Sequence, residues 1–159
     1  MLSQLEHLSI ATDGRYATDR ELLFLQTYLK SARTRFSAYQ RLQKAEVAIV
    51  DQVQQKMAAI DPTLLISGTV DMSAKWKRDT VRVLRYAAVA LLLDDAETYR
   101  ERFLMWFQTI MQSFRAERSC DVTYTVMQDV VRQYLTPQEA ELFLPILELS
   151  RLMLGAQKS

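Results

Sequence analysis

Apolar residues recur at intervals of three and four along most of the chain, which is the spacing of helices buried on one face. Leu2, Leu5 and Leu8 share one side of a short helical arm. Asp13-Gly14 marks a turn, and Thr18 with Glu21 has the form of a capping box, so a helix carrying Leu22, Leu25 and Leu29 is predicted to start there. A longer helix is predicted through Phe36, Tyr39, Leu42, Ile49, Val50, Val53, Met57 and Ile60. Asp61-Pro62 ends it, because proline pushes the residue before it out of the α region. The stretch TLLISGTVDMS is the least regular and predicts a loop with short helical turns.

The next helix, SAKWKRDTVRVLRYAAVALLLDD, is charged in its first half and apolar in its second, and runs from Ser73 to Asp94-Asp95. Tyr99, Phe103, Trp106, Phe107, Ile110, Met111 and Phe114 then form an aromatic-rich stripe at helical spacing, which predicts core packing. RAERSC interrupts the pattern, and Val122, Val126, Met127, Val130, Val131 and Tyr134 restore it. The final helix has Thr136 as N-cap, Pro137 at its first position and Gly155 as its stop. Pro145 is expected to kink it, since proline removes a backbone donor and crowds the preceding turn. The pattern contains no repeat and no linker. It predicts one all-α domain over residues 1–159, with an N-terminal arm at 1–17 and a core at 18–155.

Composition narrows what such a domain does. Only three Gly and three Pro in 159 residues leave little room for a turn-rich β architecture. A net charge of +1 supplies no field to draw in nucleic acid or an acidic membrane, and no apolar run is long enough to span a bilayer. A single cysteine, Cys120, makes no internal disulfide, which with the absence of a secretory signal predicts a cytoplasmic protein. One histidine and one cysteine exclude multi-ligand zinc sites of those residues, and His7 in the arm is badly placed for a catalytic triad or a haem ligand. No haem and no enzymatic activity are expected.

The remaining candidate for chemistry is the charged half of the helix from Ser73. Lys75, Arg78, Asp79 and Arg82 fall at helical spacing, three cations around one carboxylate. Such a face reads either as a binding surface or as a solvated face with i,i+3 and i,i+4 ion pairs, worth a few tenths of a kcal/mol each, about 0.2–0.5. Tyr124 and Trp106 are candidates for a pocket edge, and Arg85, where the charged half meets the apolar half, is expected to be paired or at a partner interface.

KWKRDTVRVLRYAAVALLLDD resembles the chromophore helix of phycobiliproteins, in which Cys-x-Arg-Asp precedes Leu-Arg; the match runs through Arg78, Asp79, Leu84 and Arg85. DGRYATDREL is similar to that family's Gly-Arg-Tyr-Leu-Ser segment, and RFSAYQRLQKAEVAIVDQV to the helices that follow it. The resemblance implies a globin-like fold whose N-terminal helices mediate pairing. It also implies a linear tetrapyrrole (bilin) whose pyrrole nitrogens bond to Asp79 while Lys75, Arg78 and Arg82 hold its propionates, with Trp76 and Tyr124 beside it.

The sequence departs from the family where Trp76 occupies the place of the attachment cysteine, and Asp13 directly precedes Gly14 instead of lying three residues before it. The closest branch in pattern is the bilin biosynthesis-associated globins, which lack the attachment cysteine. The expectation is non-covalent bilin handling linked to bilin biosynthesis or phycobilisome supply. Its rival is a chromophore-free interaction protein that regulates or assembles phycobilisome components. Trp76 either stacks on a bilin ring or blocks the place of one. The implied partners are a second copy, a phycobiliprotein-like chain or bilin-synthesis enzymes, and the arm leucines are expected to form a dimer contact. An enzyme acting on bilins would have to use Asp79 as proton donor, with no tuned partner beside it.

Overall fold

Residues 1–155 are described by the structure, a computed structural model; the last four residues of the expected domain lie outside the described residues. α1 (Leu2–Ala11) forms the arm, and a turn at Thr12–Gly14 follows, with Gly14 at φ +72°. The expected box at Thr18 and Glu21 is present: the Thr18 N–H and hydroxyl donate to Glu21 Oε2 at 2.8 and 2.9 Å, and Arg15 adds two bonds to the same carboxylate. It stabilises a turn, however, and the helix begins only at Leu23.

The two helices expected next are one. α2 runs unbroken for 38 residues, Leu23–Ile60. Leu29 and Phe36 stand seven residues apart, two helical turns, so the apolar pattern runs on in register, and KSARTR between them contains neither Gly nor Pro to stop helix propagation. Phe36 and Ile60 are exposed, whereas Leu42, Ile49, Val50, Val53 and Met57 are buried. Asp61 ends α2 in an extended conformation and accepts from the Thr63 N–H, opening a 3₁₀ turn, Pro62–Leu65.

A second correction concerns TLLISGTVDMS. After the 3₁₀ turn it forms a small antiparallel hairpin of β1 (Ile66–Ser67) and β2 (Val70–Asp71), with Ser67 opposite Val70. Gly68 turns the chain at φ +61°, a region costly for side chains other than glycine. α3 (Ser73–Leu93) follows and ends at Asp94 in the left-handed region. Asp95, buried, caps α4 (Ala96–Tyr99) through the Thr98 N–H and accepts from the Ser3 N–H at 3.1 Å, which ties α1 to this corner. Buried Arg35 holds the same corner from α2, bonding Leu91 O at 2.8 Å and Asp94 Oδ1 at 2.9 Å.

A π-helical turn, Arg100–Leu104, joins α4 to α5 (Met105–Ser113). The aromatic stripe there divides. Tyr99, Phe103 and Phe107 stack in the core, with ring centroids 5.9 and 5.3 Å apart, while Trp106 and Phe114 are exposed. After Arg115 turns the chain at φ +53°, α6 (Glu117–Val131) and α7 (Pro137–Leu154) complete the structure. α2 packs on α3 and α6, and α7 lies against α6, α3 and α2, so the core sits between these four. α7 continues as one helix through the exposed Pro145. Gly155 ends it in an extended conformation, where an added Cβ would come 2.5 Å from the Arg151 carbonyl oxygen. Arg85 is paired: its guanidinium grips Glu46 with two bonds of 2.7 Å. Among the described residues no helix is long and apolar enough to cross a membrane.

The cap of α7 carries a testable pH dependence. Glu139 is buried, which by itself would raise its pKa, but bonds from Thr136 and Ser37 and the charge of Arg41 outweigh that and leave it lowered. The unfolded chain therefore takes up this proton at a higher pH than the native one does. The stabilisation is complete above the ordinary carboxylate range, about 4.3, and is lost as pH falls through the lower native value. Glu139→Gln is expected to be about 1–2 kcal/mol less stable than the parent at pH 7, with the gap narrowing below about pH 4. Urea melts at a series of pH values measure this; a gap independent of pH would contradict it.

Candidate functional site

The first half of α3 and the start of α6 enclose a cleft of ≈ 390 Å³, roofed by the 3₁₀ turn and hairpin and bounded by the end of α5. Four of the six residues singled out from sequence line it: Lys75, Trp76, Asp79 and Tyr124. Arg78 and Arg82 are not among its lining residues and are exposed. Helical geometry accounts for the division. At about 100° per residue, Lys75, Asp79, Trp76 and Thr80 fall within an arc of about 140°. Arg78 lies about 60° beyond the Lys75 edge of that arc, and Arg82 about 20° beyond it and a turn further along.

Nor does the charged face form the ion pairs its spacing allows. Lys75 Nζ stands over the Phe114 ring, 3.2 Å from the centroid, a cation–π contact across the cleft mouth. Among the described residues no hydrogen bond or ion pair engages the Asp79 carboxylate, nor the guanidinium groups of Arg78 and Arg82. Asp79 thus presents a free carboxylate to the cleft.

Trp76 is fixed. Its Nε1–H donates to Thr123 Oγ1 at 2.9 Å, and that hydroxyl donates onward to Ser119 O at 2.7 Å. Threonine has one proton to give, so this chain sets its direction and locks the indole between α3 and α6. Behind it lie Cys120 and Tyr124, both buried. Burial pushes the Cys120 thiol up to about 12, and the charges of Glu117 and Asp79 add to this. The thiol is therefore protonated at neutral pH and a poor nucleophile. Burial likewise raises Tyr124 well above the ordinary tyrosine range, with Cys120, Tyr99 and Asp79 contributing, so its phenol is a neutral donor. Trp106 lies outside the cleft.

Sequence reasoning missed the remaining walls. Arg115 and Arg118 come from the α5–α6 corner, which the pattern showed only as an interruption, and Phe114, predicted to pack in the core, is exposed beside them at the cleft. The Arg115 guanidinium has no hydrogen-bond or ion-pair partner among the described residues, while Arg118 pairs with Asp61 at 2.6 Å. The arginines flanking the break were the only signal in the chain. Ile66, Ser67 and Gly68 of the hairpin also line the cleft; an Ile-Ser-Gly-Thr-Val run is a turn between two β-branched residues and would have marked it. His7 is exposed on α1 and takes no part.

The arrangement combines an apolar, aromatic interior with one free carboxylate, one buried phenol and cations at the mouth. It suits a flat, largely apolar molecule that carries N–H groups inward and acidic groups outward. A family model described as Phycobilisome protein matches residues 8–152. No curated protein matches the chain.

Proposed function

The chain belongs to the phycobilisome protein family, and from that premise we propose that it binds a linear tetrapyrrole non-covalently, in service of bilin biosynthesis or phycobilisome supply. Members of that family are globin-like, all-α light-harvesting proteins that carry bilin chromophores and are not enzymes. The observation that carries the reading is the unpaired Asp79 carboxylate inside an aromatic-lined cleft. A protonated bilin offers several N–H donors to one carboxylate, and charge-assisted bonds are the strong kind. Trp76 and Tyr124 supply flat and polar walls. The propionates go to the mouth, where Lys75, Arg115 and Arg118 are at hand; Arg78 and Arg82 keep a role only at its outer rim.

Non-covalent holding follows from the thiol chemistry. Trp76 stands where the resemblance puts an attachment cysteine, and the Cys120 thiol is too weakly acidic to add to a bilin readily. The test is an absorbance titration of the protein with biliverdin and phycocyanobilin, followed by acid denaturation and a gel. Saturable binding with a red-shifted, sharpened spectrum is expected, and the pigment should separate from the polypeptide on denaturation. A flat titration with both pigments would refute the reading.

A second reading has its own observation. Leu2 and Ile10 of α1 and Leu23, Leu29 and Phe36 of α2 are all exposed apolar residues in the N-terminal part of the chain. They fit a role as an interaction protein pairing with a second copy, a phycobiliprotein-like chain or a bilin-synthesis enzyme. Co-purification with such proteins, together with the flat titration, would favour it.

A further inference from the structure

Two buried tyrosines lie close to the cleft and are treated differently. The Tyr99 hydroxyl is bonded to Ser150 Oγ at 2.8 Å. The Tyr124 hydroxyl has no partner among the described residues, although the residue is only 3% exposed. No fully buried polar side-chain atom there lacks a hydrogen bond, so the Tyr124 oxygen must be the part of the side chain that opens onto the cleft. Water can satisfy it in the open cleft, but a bound molecule that displaces that water must supply an acceptor or leave the donor unpaired.

Its complement in a ligand is specified by what surrounds it. The Trp76 N–H is already spent on Thr123, and Lys75 is seated on Phe114. Asp79 accepts and offers no proton as a carboxylate. Tyr124 and Thr80, whose hydroxyl also has no hydrogen bond among the described residues, are the buried neutral donors left on the wall; the phenol, the more acidic and so the stronger donor, wants an acceptor that carries no charge, since a buried anion would face Asp79. A carbonyl meets both conditions.

We propose that Tyr124 is the specificity-determining donor of the cleft, bonding a lactam carbonyl of the ligand while Asp79 accepts from ligand N–H groups. Resting on the bilin reading above, this assigns to the site a preference for open-chain tetrapyrroles, whose terminal rings are lactams, over closed macrocycles. The two classes share propionates and pyrrole nitrogens. They differ in the carbonyl, and a site that hydrogen-bonds such a group rejects the analogue lacking it because its own buried donor is left unpaired.

The experiment compares the full chain with Tyr124→Phe in titrations with biliverdin and with protoporphyrin IX, which has no ring carbonyl. Tyr124→Phe should raise the Kd for biliverdin about tenfold and change that for protoporphyrin IX by less than about twofold. Its thermal midpoint should match or exceed the parent's, since the lost hydroxyl had no partner. Biliverdin bound equally by both proteins would overturn the inference and leave the bilin reading standing. An equal loss for both ligands would also overturn it, as a packing effect. A parent protein that binds neither biliverdin nor phycocyanobilin would remove the bilin reading, and this inference with it; one that binds only phycocyanobilin is tested with that pigment in place of biliverdin.

Discussion

Asp79→Asn is expected to weaken biliverdin binding about thirtyfold and to abolish most of the red shift. The carboxylate offers two acceptor oxygens and a full charge to the pyrrole N–H groups. The amide offers one acceptor and presents an NH₂ to groups that are themselves donors. Bonds to a charged acceptor are worth about 1.5–3 kcal/mol against about 0.5–1.5 for neutral ones, and a difference near 2 kcal/mol is about thirtyfold in Kd. Because the Asp79 carboxylate has no hydrogen-bond or ion-pair partner among the described residues, the variant should fold and melt like the parent. A binding loss accompanied by an equal loss of stability would mean the residue acts structurally. An unchanged Kd would remove Asp79 from the site.

Phe143→Ala should destabilise the domain by about 3–5 kcal/mol, the range for emptying an aromatic site in a packed core. Phe143 is 0% exposed on α7, the helix that closes α2, α3 and α6 against one another. The measurement is a shift of the urea midpoint with an unchanged slope. Val47→Ala, at a position 65% exposed on α2, should stay within about 0.5 kcal/mol of the parent. A loss below about 1 kcal/mol for Phe143→Ala would mean that the helices repack around the gap. Since α6 carries Tyr124 and Thr123, repacking would then show as altered bilin affinity as well.

Several boundaries were legible because the residues there allow few backbone conformations. Asp61-Pro62 ended a helix as expected, and Thr136 with Pro137 began one with a reciprocal Glu139 cap. The apolar spacing identified the buried face of α6, where Val126, Met127, Val130 and Val131 are buried, since periodicity of three and four is fixed by helical pitch alone. Where sequence reasoning erred, the signal was about side chains and the question was about backbone. The apolar gap between Leu29 and Phe36 leaves one stretch of α2 without core residues on that face but gives the backbone no reason to stop. The Thr18–Glu21 box forms its bonds in a turn, because a pair of reciprocal caps satisfies local donors whether or not a helix follows at once.

The cleft divides along the same line. That Lys75, Trp76 and Asp79 lie near one another on a helix followed from the sequence, because 3.6 residues per turn places them within one arc. Which side of that arc faces a partner helix did not follow. It depends on the rotation of α3 against α6, set by how Val83, Leu84, Ala87 and Leu91 pack into the core far from the site. That rotation turned Arg78 and Arg82 outward. It also brought in Tyr124, 45 residues after Asp79 in the chain, and the Arg115 corner, neither of which is local to the motif. The sequence by itself determined the stop at Asp61-Pro62, the start at Thr136-Pro137, the apolar face of α6 and the Asp79 carboxylate as a candidate for recognition, all of them properties of short stretches of chain. Only tertiary structure decided that this carboxylate would be left unpaired beside a buried phenol, since pairing between distant segments is settled by packing and not by spacing.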